Sequence, residues 1–441
     1  MSAFDKIIGY ELIKEELKQI ADCLKHTDKY RRMEVSIPRG LLLEGRPGVG
    51  KTLMATCLVE ESGRRAFICR KDTSDGSFIN HIRETFEEAE ENMPSIVVLD
   101  DMDKFADADR HNSYAEEYVT VQSCIDRIKG KDVFVIATVN DTNRVTESLI
   151  RHGRFDIALR IELPDISDTE QIIGHYLSRN PKVDADTRIV TEILSGKTSA
   201  TLETVINEAG ILACFEGSDT ITTEHIIKAV LRTVYHVKIP ADMRSLRKID
   251  LRDYHHDSET IYHEAGHAVM SELLKPGTVA LIAAFCEDKY GSFTKQIKNC
   301  KHHEITEDEA DILISLAGKA AVEVRYGTPG VGGMMDYRSA YFSLRELFVH
   351  EAVYGFDLIG GTVSKKDSEI NMYHQHMVIS HRIAEYYQQA KKLLTDNRSL
   401  LDGIAEALSE KRYLTGDEIQ QIKIESIQSR RRHNEIYYRK A

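Results

Sequence analysis

Short continuous apolar runs, separated by stretches of helical periodicity, organise the first third of the chain. The runs are Gly40-Leu41-Leu42-Leu43-Glu44, Ala66-Phe67-Ile68, Ser95-Ile96-Val97-Val98-Leu99 and Val133-Phe134-Val135-Ile136-Ala137. A strand that is apolar on both faces belongs inside a parallel sheet with helices above and below, so the pattern predicts an α/β domain over residues 1–167. From 168 to 237 the pattern becomes all-helical, with Asp168 and Thr201 as expected N-caps, and predicts a small helical lid. A polar stretch, 238–257, reads as a linker. The remainder, 258–441, is mainly helical with one strand-like patch near Val279 to Phe285.

Composition narrows the class. A chain of 441 residues holds two or three cores, and its 42% hydrophobic and 29% charged residues are those of a globular protein. A net charge of -13 with scattered Lys and Arg argues against nucleic acid as a partner. The basic cluster Arg430, Arg431 and Arg432 reads as a solvated helix face. Seven cysteines without a CxxC pair fit reduced thiols in a cytoplasm, and no window is apolar enough to span a membrane. The expectation is a soluble, cytoplasmic protein.

Two motifs carry chemistry. Gly45-Arg46-Pro47-Gly48-Val49-Gly50-Lys51-Thr52 follows an apolar strand and opens a helix, the context that GxxxxGK[ST] requires. The glycines let backbone N–H groups turn toward phosphates, Lys51 neutralises their charge and Thr52 ligates magnesium. The expected ATP contacts are Gly45, Pro47, Gly48, Val49, Gly50, Lys51, Thr52 and Leu53. Asp100 ends a strand where a magnesium acid belongs, Asp101 is placed to polarise the attacking water, and Asn140 to orient it. Asp101 stands where glutamate is more usual, and its shorter reach predicts slower hydrolysis.

The second motif is His263-Glu264-Ala265-Gly266-His267 in an apolar helical setting. Histidines four apart share a helix face and can hold one zinc, with Glu264 taking a proton from the water the metal activates. A catalytic zinc takes a third protein ligand, and Asp311, Glu323 and Asp336 are open candidates. The pairs His255-His256 and His302-His303 lie in polar segments and read as solvated residues.

A phosphate loop followed by HExxH in one chain resembles the AAA+ zinc proteases of the FtsH type, over nearly the whole sequence. Phe4-Asp5-Lys6-Ile7-Ile8-Gly9 is similar to that family's adenine-contacting entry segment, which implies Ile8 and Gly9 near the base. Ser148 to Asp156 resembles LLRPGRFD, which makes Arg151 and Arg154 arginine fingers toward a neighbouring subunit and implies a homo-oligomeric, hexameric ring. Without the resemblance both would read as surface arginines paired with acids. Ser199 to Ala209 is similar to the family's lid helix, and Gly318 to Gly327 to its GRAAEEIIFG segment. Gly332-Gly333-Met334-Met335-Asp336 falls where the family places an aspartate ligand, and the resemblance selects Asp336; Glu323 is left a supporting position.

Departures accompany the match. The family's N-terminal membrane helices have no counterpart before the ATPase module. The pore segment, Asp72 to Asn80, is shortened and leaves Phe78 as the only aromatic to grip a substrate. The signalling stretch holding Ile125-Asp126-Arg127-Ile128 is shortened too. The resemblance implies an ATP-dependent zinc metalloendopeptidase acting on protein substrates, with one zinc per subunit and ATP with magnesium. Two other readings stand beside it: a remodeller with an idle peptidase half, and an ATP-gated peptidase for weakly folded substrates.

Overall fold

The computed structural model describes residues 2–71, 77–105, 115–141, 149, 153–180, 182–240, 243, 246–286, 291–297, 305–350 and 365–440. The chain divides into two compact units, one of residues 1–183 with 194–207 and one of 184–193 with 208–441.

The first unit holds a five-stranded parallel sheet of β1 (Gly40–Gly45), β2 (Arg65–Arg70), β3 (Ser95–Asp100), β4 (Val133–Val139) and β5 (Ile157–Ile161), in the order β2-β3-β4-β1-β5. Every residue of β3 and β4 is buried, whereas the edge strands β2 and β5 alternate buried and exposed positions. Strands covered on both faces must be apolar throughout, and edge strands need not be. That difference explains why β5 escapes a search for apolar runs: Ile157-Ala158-Leu159-Arg160-Ile161 carries a charge in mid-strand. The carboxyl ends of β1, β3 and β4 bring the phosphate loop, Asp100 and Asn140 to one edge of the sheet.

The expected caps are displaced by three residues. Asp165, not Asp168, caps the helix Ile166–Ser178 by accepting from the Asp168 N–H, and the Thr198 hydroxyl accepts from the Thr201 N–H. In both cases the acceptor must precede the first turn, and the residues assigned from the pattern lie inside it. Phe78 also departs from expectation. It opens the helix Phe78–Glu91 at 2% exposure and stacks edge-on against Phe105, so it belongs to the core and cannot grip a substrate. Residues 72–76 of the pore segment lie outside the described residues.

In the second unit, the helix His256–Leu274 begins with a reciprocal cap between His255 and Ser258 and ends before Pro276-Gly277. His255 is exposed as expected, yet it also fixes where the helix starts. This helix crosses the helix Ile305–Tyr326 closely: a Cβ on Gly266 would sit 2.5 Å from the Ala317 carbonyl oxygen. Beside them a three-stranded antiparallel sheet forms from β6 (Val279–Ala284), β7 (Ser292–Gln296) and β8 (Tyr413–Thr415), with β6 central. Ile261, Ala265, Ala268 and Val269 join Ile312, Ala317 and Ala321 in a shared core. The expected strand patch is β6; its two partners carry polar residues and leave no apolar run.

Candidate functional site

At the phosphate loop, Gly48 and Gly50 adopt φ of 83° and 103°, conformations that side chains strongly disfavour, and Gly50 caps the helix Lys51–Ser62. The Lys51 ammonium donates to the Gly45 and Arg46 carbonyls (2.7 and 3.1 Å) and to Asn140 Oδ1 (2.9 Å). Burial lowers its pKa, against the raising influence of Asp101, Asp103 and Asp100. Asp100 Oδ1 accepts from the hydroxyls of Thr52 (3.0 Å) and Thr138 (2.8 Å), so the expected magnesium residues are already gathered. Asp101 is held in a left-handed conformation, φ 54°, by a bond from its N–H to Thr138 Oγ1, and its carboxylate pairs with Lys104 at 2.6 Å. Asn140 donates to Asp103, a buried acid that the sequence reading passed over (3.2 Å).

Gly9, φ 72°, lies against Asp168, where a Cβ would meet Oδ1 at 2.8 Å; the same oxygen accepts from the Tyr10 N–H at 2.8 Å. Gly9 and Tyr10 are thereby docked on the helix Ile166–Ser178, and the neighbouring Ile8 is half-buried. The Ala200 N–H donates to the Gly48 carbonyl at 3.0 Å, which ties the start of the helix Ser199–Phe215 to the phosphate loop. Of the two expected fingers, Arg151 lies outside the described residues. Arg154 forms a two-pronged pair with Asp126 of the same chain, at 3.0 and 2.7 Å.

The second constellation is a candidate metal site. Among the described residues, His263, His267 and Asp336 form a group whose ligand atoms all lie within 4.8 Å of one another. The two Nε2 atoms are 3.1 Å apart, and Asp336 Oδ2 lies 3.1 Å from His263 Nε2 and 3.6 Å from His267 Nε2. Asp336 sits in the first turn of the helix Met334–Arg345, where the helix dipole favours a carboxylate. His267 Nδ1 donates to the Ile314 carbonyl at 2.7 Å, which leaves the Nε2 lone pair facing the cage. Burial opposes a charge on His267, but its bond to Asp336 and the nearby Glu264 carry its pKa up to about 8. Burial would likewise push Asp336 up, yet the two histidines hold it well below the usual carboxylate range. The donor set, the fixed tautomer and the convergence of three atoms fit a zinc ion with a fourth position open. Of the rival third ligands, Asp311 pairs with Lys275 at 2.7 Å and Glu323 is held by Tyr387 and Lys391, both at 2.6 Å.

Glu264 is buried next to this group. Its carboxylate accepts from the Thr294 hydroxyl at 2.9 Å, and burial raises its pKa. Thr294, on β7, has no local sequence signal because its partner is 30 residues away. Gly318 is a second residue that sequence reasoning undervalued. A Cβ there would stand 2.6 Å from both His263 Cε1 and His267 Nε2, so only glycine leaves the rings room to converge. Gly318→Ala is expected to lower bound zinc at least tenfold while far-ultraviolet circular dichroism stays unchanged; normal zinc content would remove that role.

Nucleotide loop on a parallel sheet and buried HExxH cage together define an AAA-type ATPase joined to a metallopeptidase centre. Residues 41–163 match the family described as ATPase family associated with various cellular activities. Across 95% of its length the chain is 28% identical to the ATP-dependent zinc metalloprotease FtsH of Lancefieldella parvula, covering 68% of that protein. It is 29% identical to the FtsH of Thermus thermophilus (95% of this chain, 70% of that one) and 28% to that of Pelobacter propionicus (95% and 71%). Over nearly its whole length the chain is thus similar to ATP-dependent zinc metalloproteases of the FtsH type, and its residues 41–163 carry the AAA ATPase match. No helix among its described residues is long and apolar enough to cross a membrane.

Proposed function

We propose that this chain is an ATP-dependent zinc metalloendopeptidase that degrades unfolded or unfoldable proteins. The observation that carries the proposal is the convergence of His263, His267 and Asp336 around one point with Glu264 buried beside it. Those three residues would hold a zinc ion, which would supply Lewis acidity at the open coordination position. Glu264, its basicity raised by burial, accepts the proton of the attacking water and returns it to the leaving amine nitrogen. Thr294 fixes the orientation of that carboxylate.

In the ATPase, Lys51 exchanges its loop carbonyls for phosphate oxygens, and Thr52 with Asp100 holds magnesium. Asp101 leaves Lys104 to reach water, and Asn140 orients it. Arg151 and Arg154 act toward the next subunit of a hexameric ring, which requires Arg154 to exchange Asp126 for nucleotide. We assign 1–167 to the nucleotide-binding domain, 168–237 to the lid, 238–257 to a linker and 258–441 to the peptidase. The free cysteines 23, 57, 69, 124, 214 and 286 suit a reducing, cytoplasmic setting.

The buried Phe78 favours one variation on this reading, an ATP-gated peptidase whose substrates are weakly folded, because the segment expected to grip a substrate presents no exposed aromatic among its described residues. A deciding assay compares casein with a stably folded protein, each with ATP and with a zinc chelator. Casein cleavage is expected to need both ATP and zinc. Cleavage that survives complete zinc removal sinks the proposal, and rapid loss of the folded protein sinks the variation.

A further inference from the structure

Beside the metal residues the surface carries an uncovered apolar strip. Val331 is 95% exposed, Met334 and Met335 are each 69% exposed, and Tyr337 is 47% exposed. Exposed apolar side chains ordinarily occur singly, whereas these four fall within one seven-residue stretch that also contains Asp336. The strip continues into a cavity of about 360 Å³ bordered by His263, Pro329, Gly333, Asp336 and Tyr337.

Its backbone is pinned rather than loose. Glu259, one turn before His263, accepts from the N–H groups of Val331 (3.0 Å) and Gly332 (3.3 Å), and its other oxygen accepts from the Tyr254 hydroxyl (2.7 Å). Gly330 adopts φ 57° against that carboxylate, where a Cβ would come within 2.2 Å of Oε1. A fixed ledge loses little entropy when a ligand settles on it. Methionine side chains, unbranched and polarisable, suit partners of varied shape.

We propose that Val331, Met334, Met335 and Tyr337 form a docking ledge for apolar side chains of an extended substrate polypeptide, with Glu259 as its positioning residue. The ledge rests on the proteolytic reading above. Continuity with the cavity and with a metal ligand selects a polypeptide over a second copy of the chain. Four side chains also fall far short of the roughly 800 Å² per partner of a stable subunit interface.

The test uses the full chain with zinc and ATP, fluorescent casein as the probe, and both turnover and binding anisotropy as readouts. Met334→Ser/Met335→Ser is expected to raise the casein KM and Kd about tenfold, with kcat within about twofold and zinc content and assembly mass unchanged. Val331→Ser, five residues from Asp336, is expected to give about a threefold rise on its own. Parent-like KM and Kd in both variants would overturn the ledge, as would a fall in assembly mass, which makes the strip a subunit contact. Failure of the parent to cleave casein, with binding still weakened in the variants, refutes the proteolytic reading and leaves the ledge standing.

Discussion

Glu264→Gln is expected to lower casein cleavage by about two to four orders of magnitude, while zinc content and ATP hydrolysis stay at parental levels. The glutamine amide is nearly the same size and can still accept from Thr294, so the packing around the buried position is retained. What it loses is the ability to take a proton. Burial holds the Glu264 carboxyl above the ordinary carboxylate range, so its basic form disappears on acidification at a higher pH than for an exposed glutamate. Activity that depends on the basic form must therefore rise with pH through that range, and the acid limb vanishes in the variant. Parental cleavage by Glu264→Gln would show that another group moves the proton.

The second large effect concerns the other half. Lys51→Ala removes the only ammonium that the phosphate loop itself supplies, and ATP hydrolysis is expected to fall by at least about a hundredfold. Degradation of folded proteins should fall with it, whereas cleavage of short unstructured peptides persists, because the candidate metal site shares no residue with the phosphate loop. A coupled-enzyme ATPase assay and a fluorogenic peptide assay on the same preparation check both arms. Unchanged turnover of a folded protein would separate nucleotide hydrolysis from proteolysis altogether.

What the sequence disclosed depended on distance along the chain. The phosphate loop and HExxH are local, because a strand-turn-helix and a single helical turn fix their own side chains, and the fold keeps both where the spacing puts them. β3 and β4 are legible for a similar reason: full burial demands an unbroken apolar run. The third candidate ligand is not readable from residues alone, since Asp311 and Asp336 are equally acidic and only folding pairs the former with Lys275 and sets the latter beside the two histidines. Thr294 and the Ile314 carbonyl reach the site from other elements and have no periodicity to announce them. Phe78 misled because an aromatic at the end of a loop reads as exposed, while the helix it begins turns it toward Phe105. Asp168 has the residue type of a cap but anchors the Tyr10 N–H instead of capping its own helix.

The central position of β6 has one more consequence. Its partner β8 is not made until residue 415, and the same sheet carries the strand that steadies Glu264. During synthesis the nucleotide module can gather early, whereas the sheet that sets Thr294 beside Glu264 is completed only once residue 415 has been added.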